Sequence, residues 1–348
     1  MLTEHTKRFL QWLCPPNVFD FWMSQCKINY RWETPTAKVV SYRLVNDSVI
    51  QLTLLPSQWF TGFQTGQHIS LIGVVNGIIM ERCYSIANLP NSKNLIELSV
   101  KVQGTFSQWL RRSIRKNSVL EISQAWGKNH TADYDVFIAG GIGITAIYPL
   151  VKQAVARQKD ALAPRSVTLL YLAGKGHPWI YKKSLEALSV FNLNVVFADG
   201  REAITDKNFL RNTIPRESRV ICCGSASFNQ AIARSLADYT KALDIENFDN
   251  SAAIAPVTEK KNVTITLLQS GRTLETDNQT PVISALINAG VPVKNGCRQG
   301  VCHQCSCQLE TGAITQKRQQ LSVRSADANK QSFQPCIALA QSDIALNL

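Results

Sequence analysis

A three-domain architecture is predicted for this 348-residue chain: an antiparallel β-barrel, an α/β domain on a parallel sheet, and a small α+β domain around clustered cysteines. Three observations predict it. Residues 36–126 alternate short apolar runs with polar breaks and hold one obvious helix. From residue 134 onward, apolar strands ending in glycine alternate with helical patterns. Residues 295–309, NGCRQGVCHQCSCQL, pack four cysteines into eleven positions.

The first segment supplies six strand-like runs: AKVVSYRLV, VIQLTLL, HISLIGVV, IIMERCYSIA, LIELSVKV and SVLEI. With only TFSQWLRRSI reading as helix between them, they suggest a small antiparallel barrel. In the second segment DVFIAGG, SVTLLYLAG, LNVVFADG and SRVICCG are strands, separated by helical patterns such as TAIYPLVKQAVARQ and WIYKKSLEAL. That order implies a parallel sheet covered on both faces, with ligands bound beyond the strands' carboxyl ends. The small, polar and charged run DNSAAIAPVTEKKN (249–262) reads as a linker. After it come a hairpin, NVTITLLQSGRTLETD, turning at Ser270 and Gly271, and a helix, PVISALINAG. The expected boundaries are an aromatic extension over 1–33, then 34–130, 131–248, a linker over 249–261, and 262–348.

Composition narrows the function classes. The formal charge is +12, yet the basic residues are scattered apart from RRSIRK (111–116), with no patch of interleaved aromatics. A solvated surface fits better than a nucleic-acid interface; an acidic redox partner or an anionic membrane is the sharper reading. The longest apolar stretch, VFIAGGIGITAIYPLV, is too short and glycine-rich to span a bilayer. Glu4, Lys7 and Arg8 precede only a short apolar run, which argues against a secretory signal, so the chain reads as cytoplasmic. In that compartment ten cysteines point to metal ligation or catalysis before disulfides. Residues 9–22 hold Phe9, Trp12, Phe19, Phe21 and Trp22, either a strap on the barrel or a peripheral membrane or partner element.

Cys297, Cys302 and Cys305 are spaced C-x4-C-x2-C, and Cys336 follows far downstream. Zinc sites usually pair close ligands in two C-x2–4-C units. A triple plus a distant single matches the plant-type [2Fe-2S] pattern, in which four thiolates wrap two irons. Gly296 and Gly300 would let backbone N–H groups approach the sulfurs. Cys307, in a strand-like run, reads as a buried bystander. Residues 262–348 resemble a plant-type ferredoxin domain, which implies an α+β β-grasp fold.

Two more segments carry a resemblance. ERCYSIAN (81–88) contains Arg-x-Tyr-Ser, and VKVQGTFSQWL (100–110) contains Gly-x-x-Ser. Together they resemble the ferredoxin-reductase flavoproteins. The resemblance implies that Arg82 faces the FAD phosphates, Tyr84 stacks on the isoalloxazine and Ser85 lies near its N5. It also implies that Lys101, Gly104, Thr105 and Ser107 bind FAD, with backbone N–H groups and a hydroxyl at a helix start facing the pyrophosphate. AGGIGITAIYPL lacks the acidic partner of an ordinary dinucleotide fingerprint. It is similar instead to the family's glycine-rich loop, with Gly140, Gly141, Gly143 and Thr145 near the NAD(P)H pyrophosphate. ICCGSASF places Cys223 and Gly224 beside the nicotinamide, with Ser225 and Ala146 standing where prolines are usual. IENF resembles the segment that closes the nucleotide domain, with Phe248 near the flavin. Lys175 and Arg201 are the candidate cations for a 2′-phosphate, leaving NADPH or NADH open.

The implied activity is NAD(P)H:acceptor oxidoreduction through FAD and a [2Fe-2S] cluster, with Tyr84, Ser85 and Cys223 at the reacting centre. The acceptor expected from the aromatic leader is a fatty-acid desaturase. A Rieske-type ring-hydroxylating oxygenase is the alternative acceptor, and a non-catalytic redox-sensing or electron-channelling subunit the alternative from another class.

Overall fold

The computed structural model describes residues 35–127, 130, 133–159, 165–174, 179–199, 202–247, 259–293, 305–316, 319–323 and 331–348. The aromatic leader lies outside them. Contacts divide the chain into two compact units, Met1–Glu246 and Asn247–Leu348.

Period-two alternation builds the barrel of the first unit. Strands β1 (Thr36–Asn46), β2 (Val49–Pro56), β3 (His68–Val75), β4 (Ile78–Ser85), β5 (Ile96–Lys101) and β6 (Val119–Ile122) coincide with the six predicted runs. They form one sheet in the order β4-β3-β6-β1-β2-β5, and the paired strands run antiparallel. Every second residue points inward, so Ile50, Leu52, Leu54, Ile69, Leu71 and Leu98 fill one apolar core. Helix α1 (Thr105–Ser113) buries Phe106 and Leu110.

The rest of the unit is a five-stranded sheet: β7 (Val136–Gly140), β8 (Val167–Ala173), β9 (Leu193–Asp199), β10 (Arg219–Gly224) and β11 (Ala242–Asn247), ordered β11-β10-β7-β8-β9. β7 pairs in parallel with β8 and β10, and β8 with β9. All seven residues of β8 are buried, as a strand covered on both faces requires. The connecting helices are α2 (Ile144–Lys159), α3 (Lys182–Leu188), α4 (Glu202–Thr205), α5 (Lys207–Thr213) and α6 (Ala226–Leu236). Asp206 caps α5 by accepting from the Asn208 and Phe209 amides at 2.9 and 3.1 Å. The serine standing in place of proline, Ser225, caps α6 by accepting from the Phe228 amide at 3.3 Å. Successive strands run outward from β7 to β9 and then return to β10 on its other side. The order therefore reverses between β7 and β10, where an open α/β sheet places its ligand crevice. Among the described residues no helix is long and apolar enough to cross a membrane.

The second unit pairs β12 (Asn262–Leu267) with β13 (Thr273–Asp277) as the predicted hairpin, turning through Gly271. β18 (Ile344–Leu346) lies parallel to β12 and antiparallel to β14 (Cys307–Gln316), which continues to β15 (Gln319–Val323). β16 (Gln331–Phe333) and β17 (Ala338–Ala340) also pair with β14. Helix α7 (Val282–Asn288) closes the sheet with Val282, Ala285 and Leu286 in its core.

Just past the bulge where β14 passes β18, Gly312 has φ +100°, and a Cβ there would stand 2.2 Å from the Asp343 carbonyl oxygen. Both the left-handed backbone and the clash oppose any side chain. Gly312→Ala should cost roughly 3 kcal/mol, measured as a lower urea midpoint for loss of β-sheet circular dichroism.

Candidate functional site

The β3–β4 register sets the barrel's contribution. His68 pairs with Ser85 and Ile69 with Tyr84, so pleating places Tyr84 with the core-facing set and Ser85 beside His68 on the other face. Tyr84 is half-buried and packs against the barrel core. Burial pushes its phenol well above the ordinary tyrosine range, with Arg82 opposing. Arg82 donates from Nη1 to the Glu81 carbonyl at 2.7 Å. Ser85 is 4% exposed, and its Oγ lies 3.1 Å from His68 Nδ1. Ser70 Oγ and Trp126 Nε1 are buried without a hydrogen-bond partner among the described residues.

At the start of α1 the geometry corrects one expectation. The Ser107 hydroxyl turns back on its own loop, accepting from the Gln103 and Gly104 amides at 3.0 Å each and donating to the Gly104 carbonyl at 2.9 Å. It fixes the loop and does not point outward. The first-turn amides of Thr105, Phe106 and Ser107 lack intrahelical acceptors and are the groups left for an anion. A Cβ on Gly104 would meet nothing within 4 Å, so the space before the helix is open. Lys101 ends β5 with an exposed side chain.

The β7–β10 switch point gathers the predicted nucleotide residues. Gly140 ends β7, and Gly141–Gly143 form a short 3-10 turn into α2. A Cβ on Gly143 would lie 2.1 Å from the Cys223 carbonyl oxygen, and Cβ atoms on Gly140 and Gly224 would strike the Phe228 ring. Close packing thus accounts for these three glycines. Gly141, at φ +54° with open space around it, needs glycine only for its backbone. The Thr145 hydroxyl donates to the Ile142 carbonyl at 3.0 Å and pins the turn. Cys223 is fully buried, and its thiol is pushed well above the usual range, chiefly by burial and then by Glu246. Such a sulfur is protonated at neutral pH and is no nucleophile. Cys222 packs in the sheet core.

Sequence reasoning missed the group that lies between barrel and sheet. Glu246 on β11 receives His68 Nε2 on Oε1 at 2.8 Å and His130 Nε2 on Oε2 at 3.2 Å. Both histidines are buried. Burial raises the Glu246 pKa, but the two histidine bonds outweigh it and hold the carboxyl down to about 2. Only five histidines occur in the chain, and Glu246 stands in the IENF segment already singled out, but nothing in the sequence joins it to positions 68 and 130.

In the second unit Cys305 and Cys336 meet. Their sulfurs stand 3.3 Å apart without a disulfide, buried with Ile283 and Ile337. Two thiolates on one tetrahedral metal at about 2.3 Å would be about 3.8 Å apart, so a slight opening fits a shared iron. Cys307 sits apart in β14, its thiol raised to about 12, first by burial and then by Cys305. Cys297, Cys302, Lys175, Arg201 and Phe248 lie outside the described residues.

Comparison with known proteins agrees with this geometry. Residues 37–130 match the model of the oxidoreductase FAD-binding domain, and 265–341 that of the 2Fe-2S iron-sulfur cluster binding domain. The chain thus carries an oxidoreductase FAD-binding domain followed by a carboxyl-terminal 2Fe-2S cluster binding domain, the layout of the ferredoxin-reductase-type flavoproteins it resembles. It is an NAD(P)H oxidoreductase whose cofactors are FAD, a [2Fe-2S] cluster and a nicotinamide nucleotide. Among its relatives, the phenoxybenzoate dioxygenase subunit beta of Ectopseudomonas oleovorans is 27% identical over 82% of this chain and 88% of its own. A toluene-4-sulfonate monooxygenase system reductase subunit of Comamonas testosteroni is 26% identical over 79% and 87%. The NADH oxidoreductase HCR of Escherichia coli is 26% identical over 73% and 79%. The fold is that of phthalate dioxygenase reductase, with a TM-score of 0.60 at 20% identity over 90% of this chain and 97% of that one.

Because the Glu246 pKa is lower folded than unfolded, its stabilisation is full above about pH 4.5 and fades as pH falls toward 2. The stability gap between the native reductase and Glu246→Gln should therefore be widest near pH 6 and shrink below pH 4, read as thermal midpoints across that range.

Proposed function

We propose that this reductase passes electrons from NAD(P)H to the oxygenase component of a monooxygenase or dioxygenase system. The convergence of Cys305 and Cys336, thirty residues of sequence between them, onto one sulfur pair carries the reading, because it makes one-electron output the endpoint of the chain. The names of the Ectopseudomonas and Comamonas relatives, a dioxygenase subunit and a monooxygenase system reductase, support the class of acceptor. They turn the expected acceptor away from a fatty-acid desaturase. The ring-hydroxylating alternative is thus the better supported of the two.

FAD supplies the exchange between a two-electron hydride donor and the one-electron cluster. Everything else falls to the chain's own side chains and amides. Tyr84 offers its ring face to the isoalloxazine, and Arg82 and Lys101 offer charge to the phosphates. Ser107 holds Gly104 and Thr105 in the conformation that aims the α1 amides at the pyrophosphate. Gly140, Gly141, Gly143 and Thr145 hold the nicotinamide nucleotide's pyrophosphate at the switch point, with Gly224 closing the crevice. Cys223, kept neutral by burial, positions the nicotinamide and forms no covalent bond. Lys175 and Arg201 would be the cations for a 2′-phosphate, and Phe248 would lie near the flavin. Cys297, Cys302, Cys305 and Cys336 would hold the irons. The names of relatives include both an NADH and an NADPH oxidoreductase, so nucleotide preference is set within this group case by case.

An absorption spectrum should show flavin and Fe–S bands, bleached by NADH or NADPH in titration. Cys336→Ser and Cys302→Ser should each remove the Fe–S bands and bring cytochrome c reduction to background while the nucleotide still bleaches the flavin. Tyr84→Ala should weaken FAD retention about tenfold, and Tyr84→Phe should not. Electron delivery to an oxygenase component encoded beside this chain, but not to a membrane desaturase, is the expected partner result; the reverse outcome would restore the desaturase.

A further inference from the structure

Hydride transfer is governed by distance. In the reading above the nicotinamide is held by the parallel sheet and the isoalloxazine by the barrel, so a small shift between the two costs rate. We propose that Tyr181 is a positioning residue that fixes this spacing: it reaches from the sheet to β5 of the barrel and ties the nucleotide turn to the strand that leads into the FAD loop. The inference rests on that reductase reading.

The tie is built from both sides. Tyr181 stands just before α3, and its hydroxyl lies 2.6 Å from Ser99 Oγ on β5. Glu97 and Lys101, which share that outer face of the strand, are exposed, whereas Ser99 is buried. Gln51 Nε2 on β2 donates to the same serine oxygen at 3.1 Å and holds it in place. On the sheet side the Tyr181 ring stacks on Tyr148 of α2, with centroids 4.2 Å apart and planes within 7° of parallel. Tyr148 is buried, hydrogen-bonds the Ser184 side chain, and has Lys152 Nζ 5.4 Å from its ring centroid. It stands three residues after Thr145, whose hydroxyl pins the Gly141–Gly143 turn, and that turn itself lies against β5. Two residues beyond Ser99, β5 ends at Lys101 and the chain runs on to Gly104 and α1. Tyr181 thus joins the helix that begins at the nucleotide turn to the strand that ends at the FAD loop.

The backbone supplies a second argument. Tyr181 has φ +63° and ψ 12°, in the left-handed region. Among the described residues five other non-glycine positions have positive φ, and four of them are asparagines, which tolerate it. A tyrosine adopts that conformation only at a cost, and the cap it occupies makes no side-chain bond to α3. The strain is held by what the side chain reaches, the Tyr148 ring and the Ser99 hydroxyl. Barrel and sheet are also joined by His68 to Glu246 and by Gln153, which donates to Thr65 Oγ1 at 3.2 Å. Cohesion alone therefore does not call for a strained tyrosine beside the glycine turn.

The test is single-turnover bleaching of the flavin band in the holoenzyme, followed by stopped-flow over a range of NADH and of NADPH concentrations. Tyr181→Phe keeps the stacked ring and loses only the hydroxyl, so it should retain its flavin. Its limiting bleaching rate should fall about tenfold, with the nucleotide's dissociation constant unchanged. Ser99→Ala should give a similar fall, and the double variant little more, because both changes break one bond. Native rates in both single variants, or falls that multiply in the double variant, overturn the tie. A fall carried wholly by the dissociation constant also overturns it, since Tyr181 would then act in binding. Deuterium exchange reads the same contact without turnover. In Tyr181→Phe holoenzyme, exchange should quicken over residues 139–148 and 96–104; a change confined to 179–188 reduces Tyr181 to a local structural contact and overturns the proposal. A native protein whose flavin neither nucleotide bleaches fails the reductase reading itself, whereas native bleaching that the variants leave untouched fails the tie alone.

Discussion

The first unit is organised around one mostly buried charge. A carboxylate withdrawn from water needs compensation, and Glu246 receives it from two imidazoles that no local sequence brings together. His68 comes from the barrel strand β3, His130 from the junction that follows the barrel, and Glu246 from the edge strand β11 of the parallel sheet. Asn229, at the start of α6, adds a bond to the Glu246 carbonyl at 3.2 Å. Compensation can be complete only when barrel and sheet are both folded and in place. Deleting one partner leaves a mostly buried charge without compensation for the water it has lost, which makes the arrangement specific even where its net contribution to stability is small.

Around that charge the chemistry is mostly restraint. At the β7–β10 switch point three of the four glycines are fixed by contacts within the protein, against the Cys223 carbonyl and the Phe228 ring. The crevice is therefore shaped before any nucleotide enters, and ordering it costs binding energy nothing further. The same burial keeps Cys223 protonated and Tyr84 un-ionised, so neither competes chemically with a hydride moving past it. A site that must only align two ring systems benefits from inert walls.

Period and punctuation made most of this architecture legible. Six barrel strands, the glycine-ended parallel strands and the hairpin at Gly271 follow from patterns that local sterics enforce within a few residues. The cysteine spacing was legible for the same reason, since metal geometry restricts loop length. β11 was not legible as a strand: half of ALDIEN is polar, and it lies at a sheet edge, where burial imposes no alternation. The Ser107 hydroxyl was read as outward because the tetrapeptide says nothing of the backbone amides behind it, and those amides capture it. The His68–Glu246–His130 group was hidden because its members are joined by topology alone. Strand order, not spacing, decides that the end of β11 faces β3.

The ferredoxin unit shows how the fold selects among cysteines that composition cannot distinguish. Cys305 and Cys307 are two residues apart and both mostly buried, yet they end differently. Cys307 opens β14, where its backbone pairs with Phe333 and its side chain is committed to the sheet core. In that apolar setting burial disfavours the charged form of the thiol, the nearby Cys305 adds to the effect, and its pKa rises to about 12. Cys305 precedes the strand in a turn, and Cys336 sits in the short 3-10 turn Pro335–Ile337 that follows β16. Because β16 pairs with the first residues of β14, the ladder itself draws those two turns together until the sulfurs nearly touch. Strand boundaries thus decide which cysteine can join a ligand set. A cysteine one step inside the ladder packs in the core, and one just outside it meets Cys336. The apolar shell of Ile283 and Ile337 then shields that side of the pair from water, which favours covalent metal–thiolate bonding over solvation of the free anion.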